Sequence, residues 1–179
     1  HAAGDGVRVG GSSRIDDLHV YGNAGAGVVV AGESTIRGVV ATSNGGNGIT
    51  AGAASVIAGC TATANGENGI ELVDGSVTGS SATQNTGAGG SFGDATSFSA
   101  NHFAGNNGID VSGGHASAGN FCEDRSCTTD GRKQYYLTKF LFNGATAASA
   151  CDAGFHMAAL SEMLDPSSLQ YDSALRGLV

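Results

Sequence analysis

Few residues in this chain have a type and spacing that could do chemistry. The carboxylates open to a catalytic pair or a calcium site are Glu71, Asp74, Asp94 and Asp110, scattered along the sequence. Stacking the chain on its own repeat gives two outward columns: Arg8, Val29, Thr50, Glu71, Asp110 and Asp16, Arg37, Ala58, Thr78, Ser99. Neither column puts two carboxylates on adjacent coils, as glycosidic acid–base work or calcium binding would want. Asp16 beside Arg37 reads as a surface ion pair worth little. The histidines are His1, His19, His102, His115 and His156; His19 and His102 share a column four coils apart, too far to hold one metal. No Gly-x-Ser-x-Gly elbow and no phosphate loop is present. Cys122 and Cys127 suit a small disulfide-closed loop, the alternatives being two reduced thiols or half of a metal site. Cys60 falls in an interior column and reads as a small buried hydrophobe. The expectation is a chain with no catalytic residue, no metal and no cofactor, and no enzymatic activity.

What must position these residues is a repeat. Asn23, Asn44, Asn65, Asn85 and Asn106 follow one another at steps of 21, 21, 20 and 21. Gly6, Gly27, Gly48 and Gly69 keep the same beat, and Gly108 is read as the member that closes the series. A fixed period near 20 residues signals a solenoid. After each glycine comes an alternating apolar pair, giving one inward column of Val7, Val28, Ile49, Ile70 and Ile109 and another of Val9, Val30, Ala51, Leu72 and Val111. A second group is Ile15, Ile36, Ile57, Val77 and Phe98; a third starts at Leu18, Val39, Cys60, Ser80 and Asn101, with Val20, Ala41, Ala62, Ala82 and Phe103 two residues on. One residue is missing near Asp74, and in the degenerate coil at Gly89-Gly90 Phe92 takes the place of an aliphatic. Five or six coils make a rod roughly 25–30 Å long. The asparagines are expected in an inward-facing turn, each amide bonding the coil above and below.

Outside the repeat's interior, Thr42, Thr61, Thr63, Ser81 and Thr83 form a hydroxyl array that could bind ice or a glycan, with His19 and Tyr21 interrupting one end. Threonine also simply favours exposed strand positions. The net charge of −8 argues against nucleic acid and anionic lipid. No run of 18 apolar residues could span a membrane. The cysteine pair and the low lysine content favour an oxidising, extracellular or cell-surface location. The opening His1, without Met, reads as a processed or trimmed piece.

The phrases Ser-Asn-Gly-Gly-Asn-Gly-Ile (43–49) and Ala-Asn-Gly-Glu-Asn-Gly-Ile (64–70) resemble right-handed parallel β-helix repeat proteins, and residues 119–127 resemble the end of such helices in secreted bacterial surface proteins. The resemblance implies an all-β parallel β-helix over 1–127. Residues 128–179 then form a C-terminal extension, a strand over 135–142 and two short helices, acting as a cap or assembly element. The order Ala-x-x-x-Cys-x-x-Gly-x-His-Met-Ala around His156 is similar to the opening of a C-type-lectin-like domain, too short here to carry its ligand residues. The expected function is an extracellular structural or adhesive module that self-associates through coil ends or the extension, with surface glycans as possible partners. The competing readings are a polysaccharide lyase or hydrolase and an ice or glycan binder.

Overall fold

The computed structural model describes residues 2–124 and 127, together with the strands Lys133–Tyr135 and Leu169–Tyr171. The chain divides into two units, His1–Asp130 and Gly131–Val179. In the second, the two strands just named pair in parallel. Apart from Tyr135, the expected strand over 135–142, the helices after it and the lectin-like segment lie outside the described residues.

The first unit is a parallel β-solenoid of three sheets with six strands each. The first sheet runs through Val7–Val9, Val28–Val30, Ile49–Ala51, Ile70–Leu72, Gly90–Phe92 and Val111–Ser112. The second holds Arg14–Asp16, Thr35–Arg37, Ser55–Ala58, Gly75–Thr78, Thr96–Ser99 and His115–Ala116. The third holds His19–Tyr21, Val40–Thr42, Thr61–Thr63, Ser81–Thr83, His102–Ala104 and Phe121–Cys122. Each strand pairs with its equivalent one coil away, so every strand but the outermost borrows its stability from two neighbours. No helix occurs among the described residues.

The corners explain why three-residue strands suffice. Between the second and third sheets one left-handed residue turns the chain: Asp17 (φ 51), Gly38 (φ 58), Gly59 (φ 62), Gly79 (φ 58) and Ala100 (φ 54). A second left-handed position follows the third sheet, at Gly22, Ser43, Ala64, Gln84 and Gly105. Non-glycine residues there cost about 1 kcal/mol or more each, a cost offset by the ladder bonds on either side. The interior is filled by the inward columns: Val28, Ile36, Ile49, Ile57 and Ile70 have no exposed surface. In the fifth coil Gly90 replaces the aliphatic, and Phe92 packs into the space with Phe98 and Phe103 at ring-centroid distances of 5.1 and 6.1 Å.

The last coil departs from the sequence register. Val111, not Ile109, pairs with Gly90, and Ser112 pairs with Ser91. Ile109 is consequently half exposed, at 52%, and Asp110 is buried instead of standing in the outward column. The asparagines dictate this: Asn65 to Ile70, Asn85 to Gly90 and Asn106 to Val111 are each five residues. The Gly-Ile-Asp-Val phrase at 108–111 resembles Gly-Ile-Glu-Leu at 69–72, but it sits two positions too early to share its register. Gly108 therefore does not belong to the turn-glycine column, which runs Gly6, Gly27, Gly48, Gly69, Gly89 and then Asp110.

Candidate functional site

The asparagines that set the register are engaged among themselves. Asn23 Nδ2 donates to Asn44 Oδ1 (2.9 Å), Asn44 to Asn65 (3.0 Å), Asn65 to Asn85 (3.0 Å) and Asn85 to Asn106 (3.0 Å). Each Oδ1 also accepts the backbone N–H of the preceding asparagine, as Asn65 does from Asn44. The turn glycines make room for this. A Cβ on Gly48 would lie 2.6 Å from Gly69 O and 2.7 Å from Asn65 Nδ2. The ladder is thus consumed by structure, and the groove of about 520 Å³ beside it is lined mostly by glycine, alanine and the buried asparagines.

Chemistry collects instead on the outer face of the first sheet. Its outward column is Arg8, Val29, Thr50, Glu71, Ser91 and Ser112. Beside it runs an open groove of about 400 Å³, lined in part by Asp5, Arg8, Asn47, Thr50 and Glu67. Asn47 organises this face. Its Nδ2 donates to Glu71 Oε2 (2.6 Å) and Thr50 Oγ1 (3.1 Å), while its Oδ1 accepts the Asn68 N–H (2.9 Å). Asn68 repeats the move, accepting the Ala88 N–H at 2.9 Å. At the equivalent position in the first coil, Asp5 accepts the Ala26 N–H (2.9 Å) and the Arg8 Nε–H (2.9 Å). That backbone donor, and then Arg8, hold the Asp5 carboxyl below its ordinary range.

Asn47 and Asn68 are functional candidates that pattern reading passed over. The signal was present, since both precede the turn glycine and stand 21 residues apart, but the interior ladder absorbed the asparagine pattern. Asp16 does not spend itself on Arg37 as expected. Its carboxylate pairs with Arg14 on its own strand, although Arg37 lies opposite it in the sheet. The other carboxylates stay separate: Asp74 and Asp94 precede successive strands of the second sheet, and Asp110 accepts from Asn106 (2.8 Å) and the Asp124 N–H (3.1 Å).

Thr42, Thr63 and Thr83 form one outward column of the third sheet and Thr61 and Ser81 its neighbour. Thr63 and Thr83 share a hydroxyl hydrogen bond of 3.1 Å. Cys122 and Cys127 form a disulfide with Cα atoms 5.7 Å apart. Cys122 lies near Asp110 and Asp124, but its bonded sulfur is no thiolate donor, so two carboxylates remain. Cys60 is a buried free thiol pushed above its ordinary range by burial. No helix among the described residues is long and apolar enough to cross a membrane.

Three stacked parallel sheets and an internal asparagine ladder define a right-handed parallel β-helix. The chain belongs to that family: the right-handed β-helix region matches residues 1–128. No curated protein matches it. Among solved structures it is similar to a mutant of the periplasmic alginate epimerase AlgG, at 15% identity and a TM-score of 0.54 over 75% of this chain. The chain spans 36% of that protein's chain. This likeness overturns the expectation of a chain without enzymatic activity. That expectation rested on flat outward columns, yet an epimerase is built on the same scaffold. Here the polar groups of turn and strand meet across coils, as Asn47 and Glu71 do, where no single column shows them.

Proposed function

We propose that this chain is the β-helical part of an exported carbohydrate-active protein that holds an extended polysaccharide along its first sheet. The observation that carries this reading is the Asn47–Thr50–Glu71 cluster, locked across adjacent coils at the edge of an open groove. Strands about 4.8 Å apart offer one outward side chain per coil, so an extended chain of sugars meets donors and acceptors in succession. Asn, Thr, Ser and Glu together can donate to and accept from hydroxyl groups. Asp5, Glu67 and Glu71 outnumber Arg8, which is already paired with Asp5. This charge balance favours a neutral, hydroxyl-rich glycan over a polyanionic one. Glu67 and Glu71, on the turn and strand of one coil, are the carboxylates for acid–base work at a glycosidic bond. The disulfide supports export, and attachment to a cell-surface glycan would use the same face.

The test is affinity electrophoresis and reducing-end release with a panel of neutral polysaccharides. At least one should retard the chain, and Asn47→Ala and Glu71→Gln should weaken that retardation by about tenfold, the loss of a hydrogen bond to a charged group. Release of reducing ends should vanish in Glu67→Gln and Glu71→Gln. Retardation that both binding variants leave intact would remove the first sheet from the reading. Binding without release would remove the acid–base role.

A further inference from the structure

The third sheet faces outward with a different chemistry. Its strands, from His19–Tyr21 to Phe121–Cys122, carry no Asp, Glu, Lys or Arg, the nearest carboxylate in register being Glu123, which is engaged by the Gly105 N–H, in a chain of net charge −8. The middle coils present the half-buried hydroxyls of Thr42, Thr61, Thr63, Ser81 and Thr83. Aromatic rings stand at both ends of this field. In the first coil His19 and Tyr21 lie 5.5 Å apart, with Tyr21 57% exposed. At the far end His102 and Phe121 stack from adjacent coils at 5.0 Å with planes 8° apart, and Phe121 is 52% exposed.

From these observations we infer that the third sheet is a second binding platform, for a short stretch of neutral oligosaccharide. The occupant follows from the chemistry. An uncharged surface in an acidic protein selects an uncharged partner. Exposed rings bind the apolar faces of pyranose rings, and ordered hydroxyls meet sugar hydroxyls. The Thr63–Thr83 hydrogen bond holds two of those hydroxyls in place between the ring pairs. Tyr21 in the first coil and Phe121 in the sixth are five rungs apart, about 24 Å, so the field accommodates about five sugar units at one per rung. Rings that rise from both ends also spoil the flatness that a crystal surface such as ice would require. The platform is separate from the first-sheet face and does not depend on it, though on a polymer the two would act together as linked sites.

The experiment is isothermal titration of the full chain with neutral cello-, xylo- and manno-oligosaccharides of about two to six units. Affinity for at least one series should rise with length and level off near five units. Tyr21→Ala and Phe121→Ala should each weaken it by about fivefold. Both residues are exposed, so their variants should keep the wild-type thermal unfolding curve. Arg37→Ala, on the outer face of the second sheet, should leave this binding unchanged. Binding that survives both ring variants but is lost in Glu71→Gln assigns the sugar to the first sheet and overturns the platform. Absence of binding across all three series overturns it too. So does inhibition of ice recrystallisation that Thr63→Val abolishes in a chain that binds no oligosaccharide.

Discussion

Asn65 shows how much one side chain holds together. It accepts hydrogen bonds from the Asn44 backbone (3.1 Å) and side chain (3.0 Å) and donates to Ala41 O (3.2 Å) and Asn85 Oδ1 (3.0 Å). At 1% exposure, no water replaces those partners. Asn65→Ala should therefore cost on the order of 3 kcal/mol, because it strands several buried polar groups at once. Urea unfolding should show a lower midpoint with little change in slope. A shift below about 0.5 kcal/mol would mean that the ladder relaxes around the gap.

The coil is the next scale, and its ends differ. In the middle, each short strand is held on both sides, and local defects such as Gly90 are repaired by a neighbouring ring, here Phe92. Near the last strand of the third sheet the Cys122–Cys127 disulfide closes a five-residue separation, and Asp110 and Asp124 each donate a backbone N–H to the other's carboxylate. A loop this short gives roughly 2 kcal/mol of stabilisation by limiting the unfolded chain. Because coils couple mainly to their nearest neighbours, reduction should loosen the last coils and leave the first ones protected. Hydrogen exchange before and after reduction checks this; uniform loss of protection along the solenoid would contradict it.

The β-helix is one-dimensional, so an association of copies of this chain end to end would run through its outer coils. Val7–Val9, Arg14–Asp16 and His19–Tyr21 are the outer strands of their sheets at one end, and the inward-pointing Val7, Val9, Ile15 and Leu18 are only half-buried there. Edge strands over a partly covered core are templates for another coil. Head-to-tail association of copies is the prediction at this scale. Light scattering at micromolar concentration should give a mass above the 17.5 kDa of one chain. A monomer at every concentration would remove self-association.

Much of the fold was legible because the physics repeats. A side chain that must bond its own equivalent one coil away has to recur at the coil length, so Asn23, Asn44, Asn65, Asn85 and Asn106 announce the solenoid and its register. Inward aliphatics recur for the same reason, since each fills the same slice of the interior. The phrase at Gly108 misleads because local similarity can outvote spacing on paper, whereas in the structure five residues from Asn106 must reach Val111. The candidate site was less legible. Asn47, Thr50 and Glu71 lie on two coils and two kinds of element, and their meeting depends on a side chain crossing between rungs. The aromatic ends of the third sheet likewise become ends only once the coils are stacked. The sequence by itself determined the coil, its period and its interior, because those obey one repeated constraint; only the tertiary structure decided which non-repeating polar and aromatic groups share a face, because nothing in the repeat requires them to.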